Sequence, residues 1–348
     1  MSLSRVPRSQ HQFTFAADAE PWLRIEPGSS IVVETLDCFS NKVSSPEQRF
    51  GYDSEVLDLI GQYNPVSKPT YVSGAEPGDT LAVRIDAIDL GPVDPYAVMV
   101  VTRDTALLCG RPSRHLGHDG DTKICELRDG HVLFPVGTGI VRHPVRPMVG
   151  AIGTAPPDGA ISSLHYAASC GGNMDCLDIT VGATVLLPVN VPGGLLSLGD
   201  VHALMGDGEV AGVALETHGD VTVSVQLIKA GRPASTCMPR LDTPTTVGTL
   251  GCESHESIDA NIAAALDDML TRLPAEFGMT AIEAYELIGA AGRIRVNQCV
   301  HFHGQGWCTT HVAVPRAVLP GGAYWVRGSA GSPDAFEQIR AGGLGAGC

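Results

Sequence analysis

The chain has 348 residues, a formal net charge of −15 at pH 7, 44% hydrophobic residues and 18% charged ones. This balance excludes a disordered chain and supplies enough apolar material for a large core. The acidic excess excludes a nucleic acid or an anionic membrane as partner, because both recruit Lys and Arg.

No apolar run is long enough to span a bilayer; the longest candidate, Val181 to Leu198, is broken by Pro188, Pro192 and a glycine pair. The opening MSLSRVPRSQHQ lacks the apolar stretch of a signal peptide. Ten cysteines occur without C-x-x-C spacing, the pattern of reduced, mostly buried thiols. The expected compartment is the cytoplasm.

In chain order, short β-branched runs come first: Ser30 to Thr35, Thr80 to Ile85, Ala97 to Thr102, Thr184 to Val191 and Asp220 to Ile228. Turn residues bracket them, at Pro27-Gly28, Pro77-Gly78-Asp79, Pro192-Gly193-Gly194 and Gly219-Asp220. Together they predict a mainly antiparallel β architecture, a sandwich or barrel. Glu34, Thr35 and Asp37 end the first of these runs, and two carboxylates at a strand end are either solvated or functional.

The middle of the chain is dense in chemistry. GGNMD spans Gly171 to Asp175, and GDVHALMGDGEV spans Gly199 to Val210. On a strand, Asp200 and His202 share a face and form a workable metal-ligand pair. At about 3.4 Å per residue, a two-residue turn at Asp207-Gly208 would leave Glu209 more than about 13 Å from His202. Glu209 joins the pair only if residues 203–208 form an open loop or helical turn. Glu216 ends an apolar run, where an unpaired carboxylate is costly to bury. It binds something or faces water.

Beyond a soft boundary at residues 236–256, helical periodicity runs from Ser257 to Leu273. Pro274 and Gly278 are expected to turn the chain. A second helix starts with the capping box Thr280/Glu283 and ends near Gly289. A last strand region, Arg293 to Pro315, carries His301, His303 and His311. Its H-x-H pair suits a cupin-like metal oxygenase, but the glutamate such sites use is absent from GQGWC. The expected organisation is a β-rich part, residues 1–235, carrying the site, and an α+β C-terminal portion, residues 236–348, with two helices.

Several blocks together resemble one known family, the acetamidases and formamidases. They are ETLD at Glu34 to Asp37, YVSGAEPGDTLAV at Tyr71 to Val83, RPMVGAIGTAP at Arg146 to Pro156, GGNMD, the run from Leu187 to Glu216, and GMTAIEAYELI in the second helix. The resemblance implies a jelly-roll-like β-sandwich with a smaller β-barrel and a helical hairpin. It further implies a homo-oligomer that hydrolyses small linear or cyclic amides. Its polar blocks correspond here to Asp37, Asn173, Asp175, Asp200, His202, Glu209 and Glu216.

The mechanism expected from this set uses a metal-activated water. Zinc, with calcium as the alternative, is held by Asp37, Asp200 and His202 with Glu216 assisting; Glu209 is the base, and Asn173 and Asp175 orient a small amide substrate. Two other readings stand beside it: a non-catalytic β-sandwich that binds a metal or small ligand, and the cupin-like oxygenase at His301 and His303. The apolar loop Val189 to Leu198 is expected to expose surface that a dimer or larger homo-oligomer covers.

Overall fold

A computed structural model describes residues 3–103, 120–164, 167–253, 257–302 and 305–324. Two large sheets face each other. The first has nine strands, in the order Ser4–Val6, Ser30–Glu34, Gly219–Ile228, Thr80–Leu90, Thr184–Pro188, Arg240–Asp242, Thr246–Gly251, Gln305–Pro315 and Arg293–Phe302.

The second has eleven strands. Nine run in the order Gly139–Pro144, His131–Val136, Asp121–Arg128, Tyr96–Val101, Leu215–Thr217, Ser197–Leu204, Met148–Gly153, Gly171–Asn173 and Ala167–Ala168. His11–Gln12 and Val66–Ser67 attach at its side.

Alternation explains the sandwich. Gly219–Ile228 begins with alternating buried and half-buried positions, so one face turns inward. Val83, Ile85, Val221 and Val223 of the first sheet join Val149, Ile152, Leu198 and Val201 of the second in one apolar core. Met148–Gly153 is buried at all six positions, as a central strand covered on both faces must be.

The expected smaller barrel is corrected: among the described residues the second sheet does not close. Its edge strand Gly139–Pro144 is exposed along its whole length and pairs only with His131–Val136. A second correction concerns the loop Val189 to Leu198. Its apolar side chains Val189, Leu195, Leu196 and Leu198 are buried, because the segment folds under Tyr71 and Leu81.

Among the described residues three α-helices accompany the sheets: α1 (Asp53–Ile60), α2 (Ile258–Phe277) and α3 (Ala281–Ala291). The predicted capping box of α3 is present, with Thr280 and Glu283 each bonding the other's backbone N–H. The helical hairpin packs Ala265, Met269, Leu273 and Ile288 against Val247, Val312 and Val314 of the first sheet.

Pro274 does not turn the chain; α2 runs through it and ends at Gly278, which sits at φ +71°. Packing explains the continuation, since Leu270, Leu273 and Phe277 on both sides of Pro274 join the same apolar cluster and hold the helix through the missing N–H. Among the described residues, no helix is long and apolar enough to cross a membrane.

Candidate active site

His202 and Glu216 lie directly opposite one another on the antiparallel strands Ser197–Leu204 and Leu215–Thr217. The connection between them is a ten-residue loop, 205–214, rather than a two-residue turn. Gly208 in this loop is tied to the strand Arg293–Phe302. Its N–H donates to Asn297 O at 2.9 Å and its C=O accepts from Cys299 N at 3.1 Å. Glu209 then turns back at φ +43° and lines the pocket, so the open-loop condition for its joining the site is met.

Asp175 arrives from the loop after Gly171–Asn173 at φ +45°, and Asp200 interrupts its own strand at φ +59°. Both positive φ values are uncommon for non-glycine residues and concentrate strain where the acids meet. Gly150 makes the room. A Cβ there would stand 2.5 Å from Asp175 Oδ1 and 2.6 Å from Asp200 Oδ2.

The four side chains converge on one point. His202 Nε2 lies 3.3 Å from Glu216 Oε2, 3.4 Å from Asp200 Oδ1 and 3.9 Å from Asp175 Oδ1. Each of these three oxygens is buried without a hydrogen-bond partner. The other oxygen of each acid is held from outside. Gln298 Nε2 donates to Asp175 Oδ2 at 2.7 Å, Asn64 Nδ2 to Asp200 Oδ2 at 3.0 Å, and Ala214 N to Glu216 Oε1 at 3.0 Å.

Burial and mutual repulsion dominate the electrostatics. Burial pushes Glu209 and Glu216 up to about 8, and with the charges of Glu209 and Asp200 it raises Asp175 well above the usual carboxylate range. Burial alone would lower His202, but Glu216, Asp200 and Asp175 together raise it well above its ordinary value.

The residues fit a divalent ion. The potential ligand atoms of Asp175, Asp200 and His202 lie within 4.8 Å of one another, as do those of His202, Glu209 and Glu216. Carboxylate oxygens with one imidazole nitrogen suit zinc and related ions.

Asp37 is placed differently. Its Oδ1 accepts from Phe39 N at 2.9 Å and Asn41 N at 2.6 Å, capping its own turn, and it belongs to neither of those two sets. Burial raises it to about 7, with a contribution from the Asp200 charge. Asn173 lines the pocket, donating to Leu164 O and accepting from Asn64 Nδ2. Phe39, Tyr63, Val213 and Trp307 supply an apolar wall.

Of the H-x-H segment, His303 and the side chain of His301 lie outside the described residues. His311 is buried beside Asp178, with Nδ1 at 3.6 Å from Oδ2, and belongs to neither set. Sequence reasoning missed Asn64, Gln298 and Gly150. No local pattern marks the two carboxamides; Gly150, inside RPMVGAIGTAP, was visible only as a glycine in an apolar strand.

Comparison with known proteins places the fold and the sequence in one family. The chain aligns with an acetamidase of Bacillus halodurans at 32% identity and TM-score 0.78, covering 89% of this chain and 97% of that one. A predicted acetamidase/formamidase of Thermoanaerobacter tengcongensis aligns at 31% identity and TM-score 0.78, covering 93% and 100%.

A putative formamidase of Schizosaccharomyces pombe is 26% identical over 280 residues, covering 60% of this chain and 61% of the relative. The chain thus spans about three-fifths of the length of the curated relatives it matches. The profile of the Acetamidase/Formamidase family matches residues 5–165 and 166–319, nearly the whole chain, and the protein therefore belongs to that family.

Proposed function

We propose that this chain hydrolyses the carbon–nitrogen bond of small amides with the help of a divalent metal ion, zinc, held by Asp175, Asp200, His202 and Glu216. The observation that carries the reading is the convergence of three buried, unpartnered carboxylate oxygens on His202 Nε2. Family membership supplies the amide chemistry. In this reading Asp175, expected from the sequence to orient the substrate, is a ligand; Asp37 keeps one buried, unpartnered oxygen, while its other oxygen caps the turn at Phe39 and Asn41.

An ion bound there would polarise the amide carbonyl and acidify a water molecule. Glu209, buried at the pocket wall and held in the carboxylate form by the same ion's charge, accepts a proton from the attacking water as its oxygen adds to the carbonyl carbon. Glu209 then returns that proton to the nitrogen as the C–N bond breaks, leaving a carboxylic acid and ammonia or an amine. Asn173 presents a carboxamide to the substrate, and the wall of Phe39, Tyr63 and Trp307 excludes water around it.

Metal content and turnover test the proposal together. The purified protein is assayed for bound metal and for ammonia or amine release from formamide, acetamide, a lactam and a cyclic imide. About one ion per chain is expected, with release abolished by a chelator and restored by zinc. Full activity in metal-free protein would overturn the mechanism. Metal binding without turnover on any amide would favour the non-catalytic binding module, and loss of metal with His301→Ala but not His202→Ala would favour the oxygenase.

We further propose that the protein works in the cytoplasm as a homo-oligomer, a dimer or larger. Exposed Ile282 and Tyr285 on α3, together with Ile140 and Val141 on the edge strand, offer apolar contact surface. A light-scattering mass near the 36.4 kDa of one chain would overturn the assembly.

A further inference from the structure

The metal reading leaves unexplained why two carboxamides are spent on the outer side of the acid cluster. Gln298 and Asn64 are almost completely buried, and each gives a side-chain N–H to the Oδ2 of one aspartate. We propose that Gln298 and Asn64 are positioning residues that set the metal preference of the site. By occupying Oδ2 of Asp175 and of Asp200, they leave each carboxylate one inward oxygen. A site of single-oxygen ligands with one imidazole favours zinc, whereas calcium collects six to eight oxygens and uses two-oxygen carboxylates. The proposal rests on the metal reading above and deepens it.

Both carboxamides are themselves fixed. Gln298 Nε2 also donates to Asn173 O at 2.8 Å, and the residues on either side of Gln298 are hydrogen-bonded to Gly208. Asn64 sits at φ +53°, its N–H bonded to Cys38 O at 3.0 Å and its C=O accepting from Ser163 Oγ at 2.6 Å. Its Nδ2 also reaches Asn173 Oδ1 at 3.1 Å.

The aspartates have little freedom to turn a second oxygen inward. The absent side chain of Gly150 already provides the space their carboxylates occupy. Only release of Oδ2 from its donor changes how many oxygens each acid can offer. Outer contacts of this kind typically alter metal affinity by about 10–100-fold.

The test uses the full chain stripped of metal by chelation, with zinc and calcium each titrated alone. Gln298→Met keeps the volume and removes the donor; Asn64→Gly removes the donor and tolerates the positive φ. In each variant the zinc-to-calcium affinity ratio is expected to fall about tenfold or more relative to wild type. Circular dichroism confirms the fold, and either variant alone decides the matter if the other fails to fold. A merely structural role would weaken both ions alike, and an unchanged ratio would overturn the proposal while leaving the metal site standing. Wild-type protein that binds neither ion would instead overturn the metal reading, and this proposal with it.

Discussion

Where α2 meets the first sheet, Arg272 is 1% exposed, yet its guanidinium is fully engaged. It donates to Glu276 at 2.9 Å, to Asp242 at 2.5 Å and to Gly248 O at 2.8 Å. Beside it, Arg240 holds Asp268 through two bonds of 2.6 and 2.8 Å. On the face of the second sheet turned away from the sandwich core, Asp175, Asp200, Glu209 and Glu216 gather around the single imidazole of His202, with three oxygens unpartnered. Both regions bury charge. One pairs its charges through close hydrogen bonds and behaves as structure; the other crowds four acids around one imidazole and shifts their ionisation instead. Burial alone therefore does not mark a site, whereas burial with unmatched sign does.

The largest test of this contrast is Glu209→Gln, which keeps the shape and removes the proton carrier. Turnover is expected to fall about 10²–10⁴-fold with bound metal retained, as read by steady-state kinetics beside elemental analysis. Loss of metal in parallel would make Glu209 a ligand instead.

Next in size, Arg272→Met leaves Asp242 only Arg316 and Glu276 only its 3.7 Å contact with Arg240, and should cost about 1–3 kcal/mol in urea unfolding, with the acid cluster untouched. A change below about 1 kcal/mol would mean the paired region is not a structural clamp.

His311 offers a third mode of burial, as a neutral ring. Desolvation, with Arg293 and Arg295 opposing the help of Asp178, lowers it to about 4. Its unfolded value is near 6.5, so the folded pKa is the depressed one. The stability it contributes is complete above about pH 6.5 and is lost as pH falls through about 4, up to roughly 3 kcal/mol. Thermal unfolding across that window should show the slope, and His311→Asn should flatten it; an unaltered slope places the acid sensitivity elsewhere.

The smallest effect has the most telling sign. Asp200→Asn removes one like charge and should stabilise the metal-free protein by roughly 1 kcal/mol while abolishing turnover. Added zinc should raise the melting temperature of wild type but not of this variant. If Asp200→Asn destabilises the metal-free protein, the unmatched-charge picture fails.

Local signals were legible wherever a short stretch decided its own structure. The capping box of α3 and the alternation of Gly219–Ile228 required only neighbouring residues. So did the Asp200/His202 spacing, and Glu209 could be stated as conditional on an open loop because strand rise sets a distance. Pro274 misled because the packing of Leu270, Leu273 and Phe277 on the first sheet overrides a breaker that propensity reads as a stop. The buried loop Val189 to Leu198 misled because its cover comes from Tyr71 and Leu81, over a hundred positions earlier in the chain. Asn64 and Gln298 were invisible for the same reason. The carboxylates they hold lie 136 and 123 residues away, and no sequence pattern links such partners.

That spread along the chain bears on the order of assembly. Asp175, Asp200, His202, Glu209 and Glu216 all lie within 42 consecutive residues, and the strands bearing them can pair early. The loop that carries Glu209 is anchored by Asn297 and Cys299, and Asp175 is tied by Gln298, on a strand made some eighty residues later. During synthesis the acids therefore emerge well before the strand that sets their spacing. A nascent chain that stops short of residue 297 holds all five clustered side chains but lacks the strand that braces them, so the cluster reaches its final spacing late, when the strand Arg293–Phe302 docks.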